Sequence, residues 1–87
     1  MHEDMLNQTA ASLRLLAREV WKRDQVALTI VERLGDMPHI PVNAYEIVAD
    51  PNTGTFDIWK CNGEGIAQSD LTMGAVLDLL PRGQGNG

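Results

Sequence analysis

Residues 5–34 contain neither glycine nor proline, and this stretch constrains the fold more than any other part of the sequence. Apolar side chains recur in it every seven residues, and further apolar residues fill the flanking rows, as on one face of an amphipathic helix. Gly35 stands where a C-terminal cap belongs, and Pro38 follows it closely. We therefore predict a long N-terminal helix over residues 5–34. The main stripe consists of Leu6, Leu13, Val20, Ala27 and Leu34, and the flanking rows of Leu16, Ile30, Ala10, Ala17 and Val31.

Such a helix is long for a chain of 87 residues. Thirty residues span about 45 Å, whereas a compact domain of this size is roughly 30 Å across. Either the helix breaks around residues 22–24, or it extends beyond its own domain and exposes apolar side chains. Because Leu15 and Trp21 also lie off the main stripe, we expect a second copy to cover the helix in a homodimer. The residues expected at this self-association surface are Leu6, Leu13, Leu16, Val20, Trp21, Ala27 and Leu28.

The pattern of apolar residues changes to a period of two after Pro38 and Pro41, which lie in the connection that follows the predicted helix. Residues 44–49 and 55–60 read as strands, and the segment Pro51 to Gly54 between them is typical of a hairpin loop, with glycine supplying positive φ. The predicted pairs are Ala49 with Phe56, Ile47 with Ile58 and Tyr45 with Lys60 on one face, and Val48 with Asp57 and Glu46 with Trp59 on the other.

A second turn and a second helix complete the chain. Asn62-Gly63 is a strong hairpin signal that leads into a third strand, residues 64–68, and brings Ile66 near Trp59. Ser69 or Asp70 would then cap a helix that ends before Pro81. Its predicted apolar stripe is Met73, Val76, Leu77 and Leu80.

The predicted fold is a single α+β domain over residues 1–87, in the order α-β-β-β-α. It has a helix at 5–34, a three-stranded antiparallel meander at 44–68 and a short helix at 70–80. The glycine-rich residues 82–87 are expected to be a disordered tail.

Charge and composition limit the classes of partner. The net charge is −5, and all of the excess lies in residues 36–87, which carry seven acidic and two basic groups. A nucleic-acid-binding surface usually needs a basic excess, so we expect another protein as partner rather than nucleic acid. No apolar run approaches the roughly 18 residues of a membrane span, and one cysteine cannot form an internal disulfide. We therefore expect a cytoplasmic protein that has no membrane contact.

No constellation of residues indicates catalysis or a metal site. His2, His39 and Cys61 do not stand at zinc-site spacing, and nothing in the sequence places a base beside Cys61. Glu46 and Asp57 look like solvated residues on the outer face of a sheet, without a cleft around them. We therefore expect no cofactor, no metal and no enzymatic activity.

A basic ridge on the first helix is the clearest polar feature. Arg14, Arg18 and Lys22 follow one another at a spacing of four, and Glu19 can pair with Lys22 or Arg23. The ridge is interpreted first as an ordinary solvated helix face. Two alternatives stay open, namely contact with an acidic protein surface, including the sheet of a second copy, and contact with phosphate.

Trp59 is the most specific candidate for a binding residue. An aromatic side chain on the outer face of a sheet is a good anchor for a protein partner. The predicted protein-binding residues are Trp59, Val48, Glu46, Asp57 and Ile66.

These features favour a non-enzymatic protein-interaction module that self-associates and acts as a small acidic regulator or inhibitor of another macromolecule. One alternative is a nucleic-acid-binding regulator that uses the basic ridge. Another is a small-ligand-binding domain with a cavity lined by Tyr45, Phe56 or Met73.

Overall fold

The fold is an antiparallel sheet with one helix before it and one after it. The computed structural model describes residues 2–31, 37–60 and 65–80, with side chains from residue 7 onward. Its elements are α1 (His2–Asp24), β1 (Ile40–Val42), β2 (Tyr45–Ala49), β3 (Phe56–Lys60), β4 (Gly65–Leu71) and α2 (Met73–Leu79). The strands lie in the order β1-β2-β3-β4. The predicted α+β class is confirmed, although the sheet has four strands rather than three.

Helix α1 ends ten residues before the predicted boundary, so the prediction of a helix over 5–34 is wrong at this end. Gln25 has a φ of 59° and donates its backbone N–H to the Trp21 carbonyl oxygen at 2.8 Å. This is the hydrogen bond of an αL C-cap, a position that glycine usually fills. The helix therefore stops at Asp24, within the stretch where a break was considered.

The chain is extended after this cap. Alternate residues Val26, Leu28 and Ile30 are partly buried against the core, whereas Ala27 and Thr29 are exposed. This period of two is that of an extended chain, and β-branched residues favour it over a helix. The segment ends at Val31, which pairs with His39 beside β1 through two backbone hydrogen bonds.

The core fills the space between one face of the sheet and the two helices. α1 contributes one narrow stripe to it, and β2 and β3 contribute alternate residues. Val76 of α2 and the C-cap residue Leu80 also belong to the core, and both are members of the apolar stripe predicted for that helix. The buried apolar residues of the core are Leu13, Leu16, Val20, Ile40, Ile47, Ala49, Phe56, Val76 and Leu80.

The register of the central hairpin is as predicted. All five expected pairs between β2 and β3 are present, from Tyr45 with Lys60 to Ala49 with Phe56. Gly54 has a φ of 72°, and its N–H donates to the Asp50 carbonyl oxygen at 3.0 Å. The connector of predicted type thus closes the hairpin.

Strand β1 is absent from the sequence prediction because its middle residue is Pro41. A proline removes a donor from the ladder and is tolerated mainly at the edge of a sheet, which is where β1 lies. The strand turns into β2 through Asn43 and Ala44, and only Asn43 has a positive φ, at 56°. These are the φ signs of a type II′ hairpin turn.

The third predicted strand and the second helix are displaced along the chain. β4 runs to Leu71, which pairs with Phe56, and Thr72 caps α2 by accepting a hydrogen bond from the Ala75 N–H at 3.2 Å. Helix 70–80 is therefore corrected to Met73–Leu79. The register of β4 against β3 shifts twice. Asp70, which has a φ of 57°, lies beside the shift between Phe56 and Ile58. The Asn62-Gly63 turn and the tail at 82–87 lie outside the described residues.

Arg23 ties the two helices together. Its Nη1 donates to the Leu77 carbonyl oxygen at 2.6 Å, and its Nε donates to Asp24 Oδ2 at 2.7 Å. Nη2 lies 2.6 Å from the same carboxylate oxygen, but outside hydrogen-bond geometry. Neither helix, over the residues described, is long and apolar enough to cross a membrane.

Candidate protein-binding surfaces

The five residues predicted to bind a protein lie side by side on the sheet face opposite the core. Glu46 pairs with Trp59, and Trp59 pairs with Ile66, so these three side chains form a row across β2, β3 and β4. Val48 and Asp57 pair in the adjacent row. We refer to Glu46, Val48, Asp57, Trp59 and Ile66 as the outer patch.

The outer patch combines accessible apolar anchors with carboxylates. Trp59 is 39% exposed and Ile66 48%, so both keep a large apolar area in contact with solvent. Glu46 Oε2 lies 3.8 Å from Nε2 of the buried His39. Asp57 Oδ1 accepts a hydrogen bond from the Asp70 N–H at 3.1 Å, which holds that carboxylate in position over the sheet. The patch therefore combines two apolar anchors with two carboxylates.

The self-association surface predicted on the first helix is only partly available. Leu13, Leu16 and Val20 are buried in the core of the same chain and cannot contact a second copy, which corrects their assignment. These residues are buried because α2 and the sheet of the same chain already cover this side of α1. Of the other predicted residues, Trp21 is 49% exposed, Ala27 is exposed and Leu28 is half-buried. The side chain of Leu6 lies outside the described part of the chain.

A shallow groove runs between α1 and the extended segment that follows it. Its volume is about 420 Å³, and it is open to solvent along its length. The segment after Gln25 turns back along the helix, so residues that the sequence assigns to one straight helix face each other across the groove. We refer to it as the helix groove, and it is lined by Arg14, Ala17, Arg18, Trp21, Ala27, Leu28 and Ile30.

Two members of the predicted basic ridge stand at the rim of the helix groove. Arg14 and Arg18 are both exposed, and Arg14 also makes an interaction within the chain. Within the described residues no ion pair involves Arg18. Lys22 is not among the residues that line the groove, and its Nζ lies 3.6 Å from Glu19 Oε2, which is one of the two predicted pairs. Lys22 is therefore paired with Glu19, whereas Arg18 is exposed in the groove that Trp21 also lines.

A second cavity, of about 290 Å³, lies at the end of the sheet near α2. Tyr45 lines it, as the small-ligand alternative requires, but Phe56 is buried in the core and Met73 does not line it. Its polar lining comes from Asn43 and Gln68 on the loop and edge strand. Among the described residues, the side chains that line this cavity are all uncharged.

Among the described residues, no three His, Cys, Asp or Glu side chains come together as metal ligands would. Two of the described surfaces combine apolar and charged side chains, namely the acidic outer patch and the helix groove with the exposed Arg18, and each includes a half-exposed tryptophan. A comparison of the chain with protein-family models, curated proteins and solved structures finds no match.

Proposed function

We propose that this chain is a non-enzymatic protein-interaction module that binds another protein through the outer patch. The single observation that carries the proposal is the row formed by Glu46, Trp59 and Ile66. Trp59 lies at the centre of this row, where a partner would remove it from water. Binding there would make the chain a regulator or an inhibitor of that protein.

The chemistry of the patch defines the partner. A tryptophan flanked by isoleucine and valine fits an apolar pocket, and such central aromatic anchors dominate binding energies. Carboxylates at the rim favour a pocket that is surrounded by Lys or Arg. The net charge of −5 adds long-range attraction to a basic surface. We therefore propose a partner with a basic, apolar cleft.

The proposal is tested by replacing Trp59 in an affinity capture from lysate of the native host. The wild-type chain, Trp59→Ala and Leu79→Ala are immobilised separately, and captured proteins are quantified by mass spectrometry. Leu79 is the matched control, because it is an apolar residue on α2 that is 49% exposed, away from the outer patch. We expect at least one protein to be retained by wild type and Leu79→Ala but lost from Trp59→Ala.

The captured protein is then purified and titrated against each variant by calorimetry. Trp59→Ala should weaken the Kd by about 30-fold or more, because truncation of a central tryptophan costs roughly 2 kcal/mol or more. Circular dichroism must show that the variant is folded. Glu46→Lys serves as a second variant that preserves the apolar anchors. A set of captured proteins that is identical for all variants would refute the role of the patch.

A further inference from the structure

The helix groove has no role in the proposed function, yet it has the features of a binding site. Trp21 is 49% exposed, and it shares the groove with Ala27, Leu28 and Ile30. Arg18 stands exposed at the rim without an ion pair among the described residues. An apolar floor with a cationic rim fits an apolar surface that carries carboxylates.

The outer patch of the same chain has this chemistry. It presents Trp59 and Ile66 as apolar anchors, with Glu46 and Asp57 beside them. No residue is shared between the patch and the groove, and they lie in different layers. The patch is on the sheet face opposite the core, whereas the groove belongs to the helix layer on the core side.

We infer that the helix groove of one copy receives the outer patch of a second copy, so that the chain assembles head to tail. The contact is heterologous, because two different surfaces meet, and each copy keeps one unused surface for a further neighbour. Such a contact produces a ring or an open chain of copies rather than a dimer closed by a twofold axis. This inference rests on the proposed function only in using the same patch.

Charge complementarity selects a second copy as the occupant. The acidic excess of the chain lies in residues 36–87, which include the whole sheet, whereas residues 1–35 carry five basic and five acidic groups. Copies that approach sheet to sheet would therefore repel each other, and copies that approach groove to patch would not. Assembly also competes with the protein partner, because both would occupy Trp59. Self-association thus regulates access to the binding face.

The test uses two variants that each remove one of the two surfaces. Trp21→Ala removes the groove anchor and leaves the patch, and Trp59→Ala does the reverse. Sedimentation velocity is measured for the wild type, for each variant and for an equimolar mixture, at low and high salt. Leu79→Ala is the control for loss of an exposed apolar residue elsewhere.

Head-to-tail assembly predicts a distinct result for each sample. The mass of the wild type should rise with concentration beyond that of a dimer, and Leu79→Ala should behave in the same way. Each tryptophan variant alone should self-associate at least about tenfold more weakly. The mixture should form a dimer of one copy of each variant and nothing larger, because only one intact groove and one intact patch can meet. High salt should weaken all of these contacts.

Other outcomes would overturn the inference. The inference is wrong if the wild-type chain stays monomeric at the highest soluble concentration. If that monomer binds a polyglutamate probe, the groove is assigned to an acidic partner instead. A wild-type assembly that stops at a dimer and is unaffected by Trp59→Ala would indicate a symmetric contact through α1. If Trp21→Ala or Trp59→Ala does not fold, Arg18→Glu and Glu46→Lys replace them. Each of these variants alone should assemble more weakly, and their mixture should assemble again beyond a dimer, because the native contact and the charge-reversed contact are then both between opposite charges.

The inference and the proposed function fail separately. If Trp21→Ala abolishes assembly but no captured protein depends on Trp59, the inference is supported and the proposed function is refuted. If capture of a protein depends on Trp59 but the chain never assembles, the proposed function is supported and the inference is refuted.

Discussion

Gln25 holds a backbone conformation that its side chain disfavours. Its φ of 59° belongs to the left-handed region, where a Cβ atom crowds the following carbonyl group. Its N–H closes the cap on Trp21, and its side-chain Nε2 donates to the same oxygen at 3.1 Å. The structure keeps this strain because the chain must leave α1 here for Val26 and Leu28 to reach the core.

Gln25→Gly is therefore expected to stabilise the protein. The free energy of unfolding should rise by about 1 kcal/mol, because glycine adopts positive φ without the steric cost, which corresponds to a Tm increase of roughly 4–8 °C. Thermal unfolding followed by circular dichroism measures this change. Gln8→Gly is the control, since Gln8 is exposed within α1 and glycine there should instead cost about 1 kcal/mol. A decrease for Gln25→Gly would show that the cap does not have this geometry.

At the level of elements, the residues that set the register of the central hairpin are readable from the sequence, whereas those that end α1 and begin α2 are not. The loop from Pro51 to Gly54 fixes which residues of β2 and β3 meet, and alternation then determines their faces. The outer patch follows directly from that register. The third strand was located through Ile66, but its two register shifts have no signature in residues 65–71.

The end of α1 was hidden because two patterns overlap in the sequence. Ala27 continues the seven-residue repeat of the helix, while Val26, Leu28 and Ile30 form an alternating pattern of their own. The alternating pattern prevails in the structure, where it fills the side of the core. The helix groove could not be predicted for the same reason, since it exists only because this segment turns back along α1.

Neighbouring leucines on α1 test the orientation of the helix. Leu16 is fully buried and Leu15 is 55% exposed. Leu16→Ala should lower the free energy of unfolding by about 2–5 kcal/mol because it leaves a cavity in the core, whereas Leu15→Ala should change it by about 0.5 kcal/mol or less. Urea unfolding of both variants measures the difference. Equal effects would mean that α1 is rotated about its axis relative to this description.

For the molecule as a whole, Arg23 is the residue that joins the end of α1 to the end of α2. Its position in the seven-residue repeat is a core position, and the side chain is only 20% exposed. Its guanidinium interacts with the Asp24 carboxylate, which is 8% exposed, and donates to the Leu77 carbonyl oxygen. It also lies in the last turn of α1, where the helix dipole favours a cation.

Removal of Arg23 should therefore loosen the packing of the two helices. Arg23→Ala leaves the Asp24 carboxylate and the Leu77 carbonyl without their partner, and we expect a loss of roughly 2 kcal/mol or more in the free energy of unfolding. Combining it with Asp24→Asn should recover part of that loss, since the unpaired charge is then absent. Arg18→Ala, at an exposed position on the same helix, should have little effect on stability. Additive effects of Arg23→Ala and Asp24→Asn would argue against the ion pair.

The two register shifts in β4 affect the tendency of the protein to aggregate at high concentration. β4 forms one border of the sheet, and a regular border strand would offer its backbone as a template for cross-β growth. Its bulges break that template, because a neighbouring strand could not stay aligned over more than a few residues. Backbone pairing between copies through β4 is thereby disfavoured, and so are fibrillar deposits that would grow from this border.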